Sequence, residues 1–112
     1  MSSATQESPT SVVALLPLPS LDGLTEQQVR GTACVWCETS ITTATAVDLG
    51  QRRHRRLDGH YSTFPRACAL CVRTAADEER PRHADSCEQC VDDAALCDTA
   101  RALRRLALEG RP

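Results

Sequence analysis

The chain has 112 residues, a formal net charge of −2 and seven cysteines, but only one Trp, one Tyr and one Phe. That length allows one domain, and so few large side chains allow only a thin core, so the fold calls for staples: disulfides, a metal or a partner. The balance of charge argues against a generic polyanion binder, and the use of Arg with no Lys and no Asn points to a high-GC bacterium.

Residues 1–22 are rich in Ser, Thr and Pro and poor in charge, which predicts a disordered N-terminal tail. Within it, Val12-Val13-Ala14-Leu15-Leu16 is apolar enough to dock on the domain or on a partner, although plain disorder is the first reading. The segment lacks the basic start of a secretory signal, Glu7 precedes its apolar run, and Pro17 and Pro19 interrupt it. No stretch approaches a transmembrane length. The chain therefore reads as cytoplasmic, where paired cysteines serve as metal ligands or redox groups rather than disulfides. An odd cysteine count also suits disulfide pairing poorly.

Residues 23–80 form the first expected unit. Leu24 to Val29 predicts a short helical turn capped by Thr25 and ended by Gly31. Cys34-Val-Trp-Cys37 follows. Ile41 to Leu49 is β-branched and roughly alternating, which predicts a strand. Gly50 to Gly59 reads as a polar turn, and His60 to Phe64 as a second strand completing a hairpin closed by Pro65. From Ala67 the pattern is helical to about Arg80, with Pro81 as the stop. Residues 81–112 form the second unit, with a helical segment around Cys87 to Leu96 and a last helix from about Thr99 to Glu109. Asp98 is its expected N-cap and Gly110 its end. At 100° per residue, Ala102, Leu103, Leu106 and Ala107 share one side of that helix, and Arg101, Arg104 and Arg105 the other.

The C-x-x-C spacing recurs at Cys68/Cys71 and Cys87/Cys90, and Cys97 follows alone. Two cysteines so spaced turn back on one ion and fill half a tetrahedral site, so such pairs come in twos. Cys34, Cys37, Cys68 and Cys71 make one full set, with the second pair at a helix start whose positive end favours thiolates. His83, Cys87, Cys90 and Cys97 make a second. Together they imply two Zn2+ ions per chain. Other readings stay open: His83 as a solvated loop histidine, Cys97 as a small buried apolar residue, and Asp85, Asp93 or His60 as a replacement ligand.

Knuckle, hairpin, then a helix with ligands in its first turn resembles the treble-clef zinc finger over about residues 32–80. Glu38 stands where such knuckles usually carry Gly. The resemblance implies an α+β fold: a small treble-clef-like module with a β-hairpin and a helix-rich C-terminal half. The His-x-x-x-Cys-x-x-Cys core at His83 resembles bacterial zinc-binding anti-sigma factors, which implies a thiol switch. The order GTACVWC, AVDLG, FPRAC, CEQCVDDAALC and ALRRL is similar to small cysteine-rich proteins of Streptomyces-type actinobacteria. The scaffold is also similar to the zinc-containing HNH nuclease. However, Leu49 follows Asp48 where that family's catalytic His usually stands, and His54 and His60 are out of register.

These features lead to a non-catalytic zinc-binding regulatory or adaptor protein that engages nucleic acid or another protein. The alternative is a redox-responsive zinc protein that loses its second ion through Cys87/Cys90, and the third is a divergent nuclease. No catalytic residue is assigned. Arg52, Arg53, Arg55, Arg56 and Arg66, set against Asp58 alone, make the expected nucleic-acid patch, with Tyr61 and Phe64 near it. A merely solvated turn is the plainer reading. Residues 77–98 are the opposite, with eight acids against two arginines.

Overall fold

The computed structural model describes residues 12–56 and 59–112. Its architecture is mixed, with two small antiparallel sheets followed by three helices. Helix α1 (Glu26–Arg30) begins at Thr25, whose Oγ1 accepts the Gln28 N–H at 3.1 Å while Gln28 Oε1 accepts the Thr25 N–H at 2.7 Å. The two groups satisfy each other's otherwise orphaned donors in a capping box. Gly31, at φ 83°, ends the helix as its spacing predicts.

The strands differ from the expected hairpin. Of Ile41 to Leu49 only β1 (Ala46–Asp48) is a strand, and it pairs with β4 (Arg66–Cys68), Val47 lying opposite Ala67. Thr42 and Thr45 explain the shortening. Each hydroxyl accepts the other residue's backbone N–H, at 2.9 and 3.3 Å. Short polar side chains thus compete with a sheet ladder for the backbone and close a turn instead. The segment read as a polar turn is itself a strand, β2 (Arg52–Arg56), paired with β3 (Gly59–Thr63). His54 lies opposite Tyr61, and their rings stack with centroids 5.0 Å apart.

Helix α2 (Ala69–Ser86) runs through Pro81 instead of stopping there. An interior proline forfeits one backbone bond, at about 3 kcal/mol. Here the helix is anchored on both sides of the break, by buried Val72 and Ala76 before it and by His83 in the second ligand cluster after it. A short helix α3 (Glu88–Asp93) and a 3-10 turn (Ala94–Leu96) lead to α4 (Asp98–Glu109). Helix α4 packs back along α2. Leu103 and Leu106 are fully buried, with Ala102 and Ala107 against the same core, so the expected apolar side is the one that docks.

Of the segment read as a disordered tail, residues 1–11 lie outside the described residues. Val12, Val13 and Leu16 are core residues, packed in one cluster with Val35, Val47, Leu49, Val72, Ala76, Leu103 and Leu106. Arg52 fixes them there. Its guanidinium donates to the carbonyls of Val13 (2.9 Å) and Leu16 (3.4 Å), and its Nε–H to that of Leu49 (3.4 Å). Among the described residues no helix is long and apolar enough to cross a membrane.

Candidate metal centres

The first knuckle is built by backbone. The Cys34 N–H donates to Thr39 (2.8 Å), the Glu38 N–H donates back to Cys34 (2.9 Å), and Ala33 bridges Ser40. Glu38 takes φ 66°, the left-handed turn that a glycine usually supplies, at a cost of about 1–2 kcal/mol. So the knuckle keeps its shape with the unusual residue in place. The Val35 N–H donates to the Arg66 carbonyl at 3.0 Å, which ties the knuckle to β4 two residues before Cys68. Behind it, buried Gln28 donates from Nε2 to the carbonyls of Cys34 (3.1 Å) and Val35 (2.9 Å).

The result brings Cys34, Cys37, Cys68 and Cys71 together, their sulfurs within 4.8 Å of one another. The Cys37 and Cys68 sulfurs are 3.8 Å apart. An ion bound tetrahedrally by sulfur at about 2.3 Å spaces its ligands about 3.8 Å apart, so the cluster fits a metal. All seven cysteines are free thiols. The Thr39 hydroxyl and N–H bring the Cys37 pKa down to about 6, while burial pushes the Cys71 and Cys68 thiols up. A dication held by these four sulfurs would favour the thiolate at each of them.

The second cluster joins His83, Cys87, Cys90 and Cys97, again with ligand atoms within 4.8 Å. His83 Nε2 is 3.4 Å from Cys97 Sγ, and Cys87 Sγ is 3.9 Å from Cys97 Sγ. For one nitrogen and three sulfurs around an ion, the edges come to about 3.5 and 3.8 Å. The backbone N–H of Cys90 lowers the Cys87 pKa, whereas burial pushes Cys90 up to about 12. Of the alternative ligands, Asp93 is otherwise engaged, capping the 3-10 turn through the Ala95 N–H at 3.1 Å.

Cys68, Cys87 and Cys97 are the N-caps of α2, α3 and α4, whereas the sequence reading put only the Cys68/Cys71 pair at a helix start. Cys97, not the expected Asp98, caps the last helix, and its sulfur accepts the Ala100 N–H at 3.5 Å. Backbone N–H groups and the helix dipole both favour a thiolate there. Since α2 carries Cys71 in its first turn and His83 near its end, it joins the two centres. At about 1.5 Å per residue, the twelve steps between them span about 18 Å.

The expected nucleic-acid residues do not act as one patch. Arg53 and Arg55 are exposed, and with His60 and Ser62 they share one face of the β2–β3 ribbon. Arg52 points its guanidinium into the fold, and half-buried Arg66 lies with its side chain beside Gly31. Arg56 belongs to β2, and Asp58 lies outside the described residues. Asp48 caps the turn after β1, its Oδ1 accepting the Gly50 N–H at 2.8 Å. His54 Nε2 lies 2.8 Å from Thr63 Oγ1. Sequence reasoning missed Gln28. The Thr25-x-x-Gln28 spacing marks a capping box, but nothing in the sequence announces that its amide also holds the knuckle.

No protein-family model matches this chain, and neither does any curated protein or any solved structure.

Proposed function

We propose that the chain is a zinc-binding regulatory or adaptor protein, without catalytic activity, whose β2–β3 ribbon engages nucleic acid. The observation that carries it is the pair of four-donor clusters at the two ends of α2, made only of Cys and His. Thiolate and imidazole donors in tetrahedral array suit zinc above harder ions. Four protein ligands leave no position for a substrate, which is the pattern of structural rather than catalytic zinc. With so thin a core, metal binding at the first centre is coupled to folding.

The ribbon supports the nucleic-acid half of the reading. Two arginines two residues apart on one strand project from the same face, about 6.7 Å apart along it, with His60 on the neighbouring strand. Such a face meets phosphates without reading bases. Native mass spectrometry should show two zinc ions per chain. Gel shift with duplex DNA, single strands and RNA should show binding that weakens as salt rises. A chain that carries one zinc, or that shifts none of the three at low salt, overturns the corresponding half.

One observation favours the thiol switch as a second reading. The sulfurs of Cys87 and Cys97 are 3.9 Å apart, in a cluster whose helix α3 has no buried residue to hold it. A two-electron oxidant such as peroxide would join two of these thiolates as a disulfide, be reduced to water and release the ion. Zinc release at low peroxide, reversed by dithiothreitol, would favour it.

A further inference from the structure

The segment from Glu88 to Leu96 has no buried side chain, and Val91 and Leu96 are 74% and 63% exposed. Apolar burial therefore does not place it. Its ties to the domain are Cys87, Cys90 and Cys97, so its position depends on the second metal centre. With the segment in place, a groove of about 520 Å3 opens between it, α2 and α4. That is the volume of a ligand site and not of a packing defect.

The floor of the groove is small and apolar, formed by Ala84, Ala94, Ala95 and Ala100 with Leu103 beneath. Its rim is cationic: Arg80, Arg101 and Arg104 face one carboxylate, Asp77. Arg80 pairs with Asp77 at 3.4 Å and Arg101 with Asp98 at 3.5 Å, both exposed, whereas Arg104 makes no ion pair among the described residues. Exposed pairs of this kind are worth little and exchange readily for a better partner. Pro81 also lines the groove and has no N–H to offer the Asp77 carbonyl, so the helix forgoes one bond there.

Alanines instead of larger side chains leave room for an incoming apolar side chain. Arginines on the rim select carboxylates, which they bind in bidentate fashion. A peptide suits this place better than a nucleic acid, which has no aliphatic side chain to seat on the alanines and Leu103. We propose that the groove between α2, α4 and the Glu88–Leu96 segment binds an acidic peptide of a protein partner, seating one apolar side chain on the alanines between carboxylates on Arg101 and Arg104. The site exists only while the second centre is filled, and it rests to that extent on the zinc reading above.

The test is fluorescence anisotropy with a short labelled peptide alternating Glu and Leu, alongside its Lys–Leu counterpart and a single-stranded DNA of equal length. Zinc is counted separately by native mass spectrometry, so a failure of the zinc reading shows in the count and a failure of the groove shows in the anisotropy. The Glu–Leu peptide should bind the two-zinc chain, and Arg104→Glu should weaken it by about tenfold or more with both ions retained. Ala95→Trp, which fills the floor from an exposed position, should do the same. Cys90→Ser should abolish peptide binding. Equal binding of the Lys–Leu peptide, full displacement by the DNA, or undiminished binding to Arg104→Glu would overturn the proposal. Binding that survives Cys90→Ser would overturn its dependence on the metal.

Discussion

Gly110 rests on the carbonyl oxygen of Ala69, so closely that a β-carbon added at 110 would lie 2.6 Å from that oxygen. The contact joins the end of α4 to the start of α2, between the ligands Cys68 and Cys71. Gly110 also sits at φ 75°, a conformation that side chains disfavour. Two independent demands therefore fall on one residue. Gly110→Ala should destabilise the fold by about 1–3 kcal/mol from backbone strain alone, with the steric clash in addition. Thermal unfolding checks this, and an unchanged melting temperature would show that the helix end simply moves aside.

Gln28 gives a second prediction. It is 4% exposed, and its amide holds the knuckle carbonyls of Cys34 and Val35. Gln28→Leu keeps the bulk and leaves both carbonyls buried without that donor, a loss of about 1–3 kcal/mol. Hydrogen exchange at Cys34 to Thr39 should quicken with it. Thr25→Ala removes the cap alone, costs about 1 kcal/mol, and should leave the knuckle amides protected.

Loss of the two centres should differ in kind. Cys71→Ser breaks the centre that holds the knuckle, β4 and α2 together, beside the core against which Trp36 packs. The near-UV dichroism of Trp36 should collapse. Cys90→Ser breaks a centre whose α3 buries nothing, while Val72, Ala76, Leu103 and Leu106 still hold α2 to α4. Trp36 should then keep its signal, and exchange should rise only over residues 87–97. Loss of the Trp36 signal in both variants would show the centres to be one folding unit.

The arginines of β2 should separate by face. Arg53→Ser with Arg55→Ser should leave zinc content and stability unchanged and lower nucleic-acid affinity, flattening the salt slope by up to about 0.9 per lost contact on duplex DNA. Arg52→Ser should instead loosen residues 12–16, seen as proteolysis near Leu16, with the salt slope kept. A slope that flattens with Arg52→Ser would place that side chain at the phosphates after all.

The sequence by itself determined which Cys and His donors come together. C-x-x-C spacing is local geometry, and Cys34/Cys37, Cys68/Cys71 and His83 with Cys87, Cys90 and Cys97 could be grouped with no fold in hand. Thr25, Gly31 and Gly110 were legible because caps act within a few residues. So was the buried side of α4, since Leu103 and Leu106 repeat with the helical period. What only the tertiary structure decided depends on distant partners. Thr42 and Thr45 close a turn where β-branching suggested a strand. Arg52 to Arg56 became a strand because β3 lies beside it, and Pro81 was carried through because α2 is anchored on both sides. The apolar run at Val12 left the tail for the core because Arg52, 39 positions further on, holds the carbonyl of Val13. Spacing along the chain encodes what one turn or one ion can gather, and a bond between remote residues has no period to betray it.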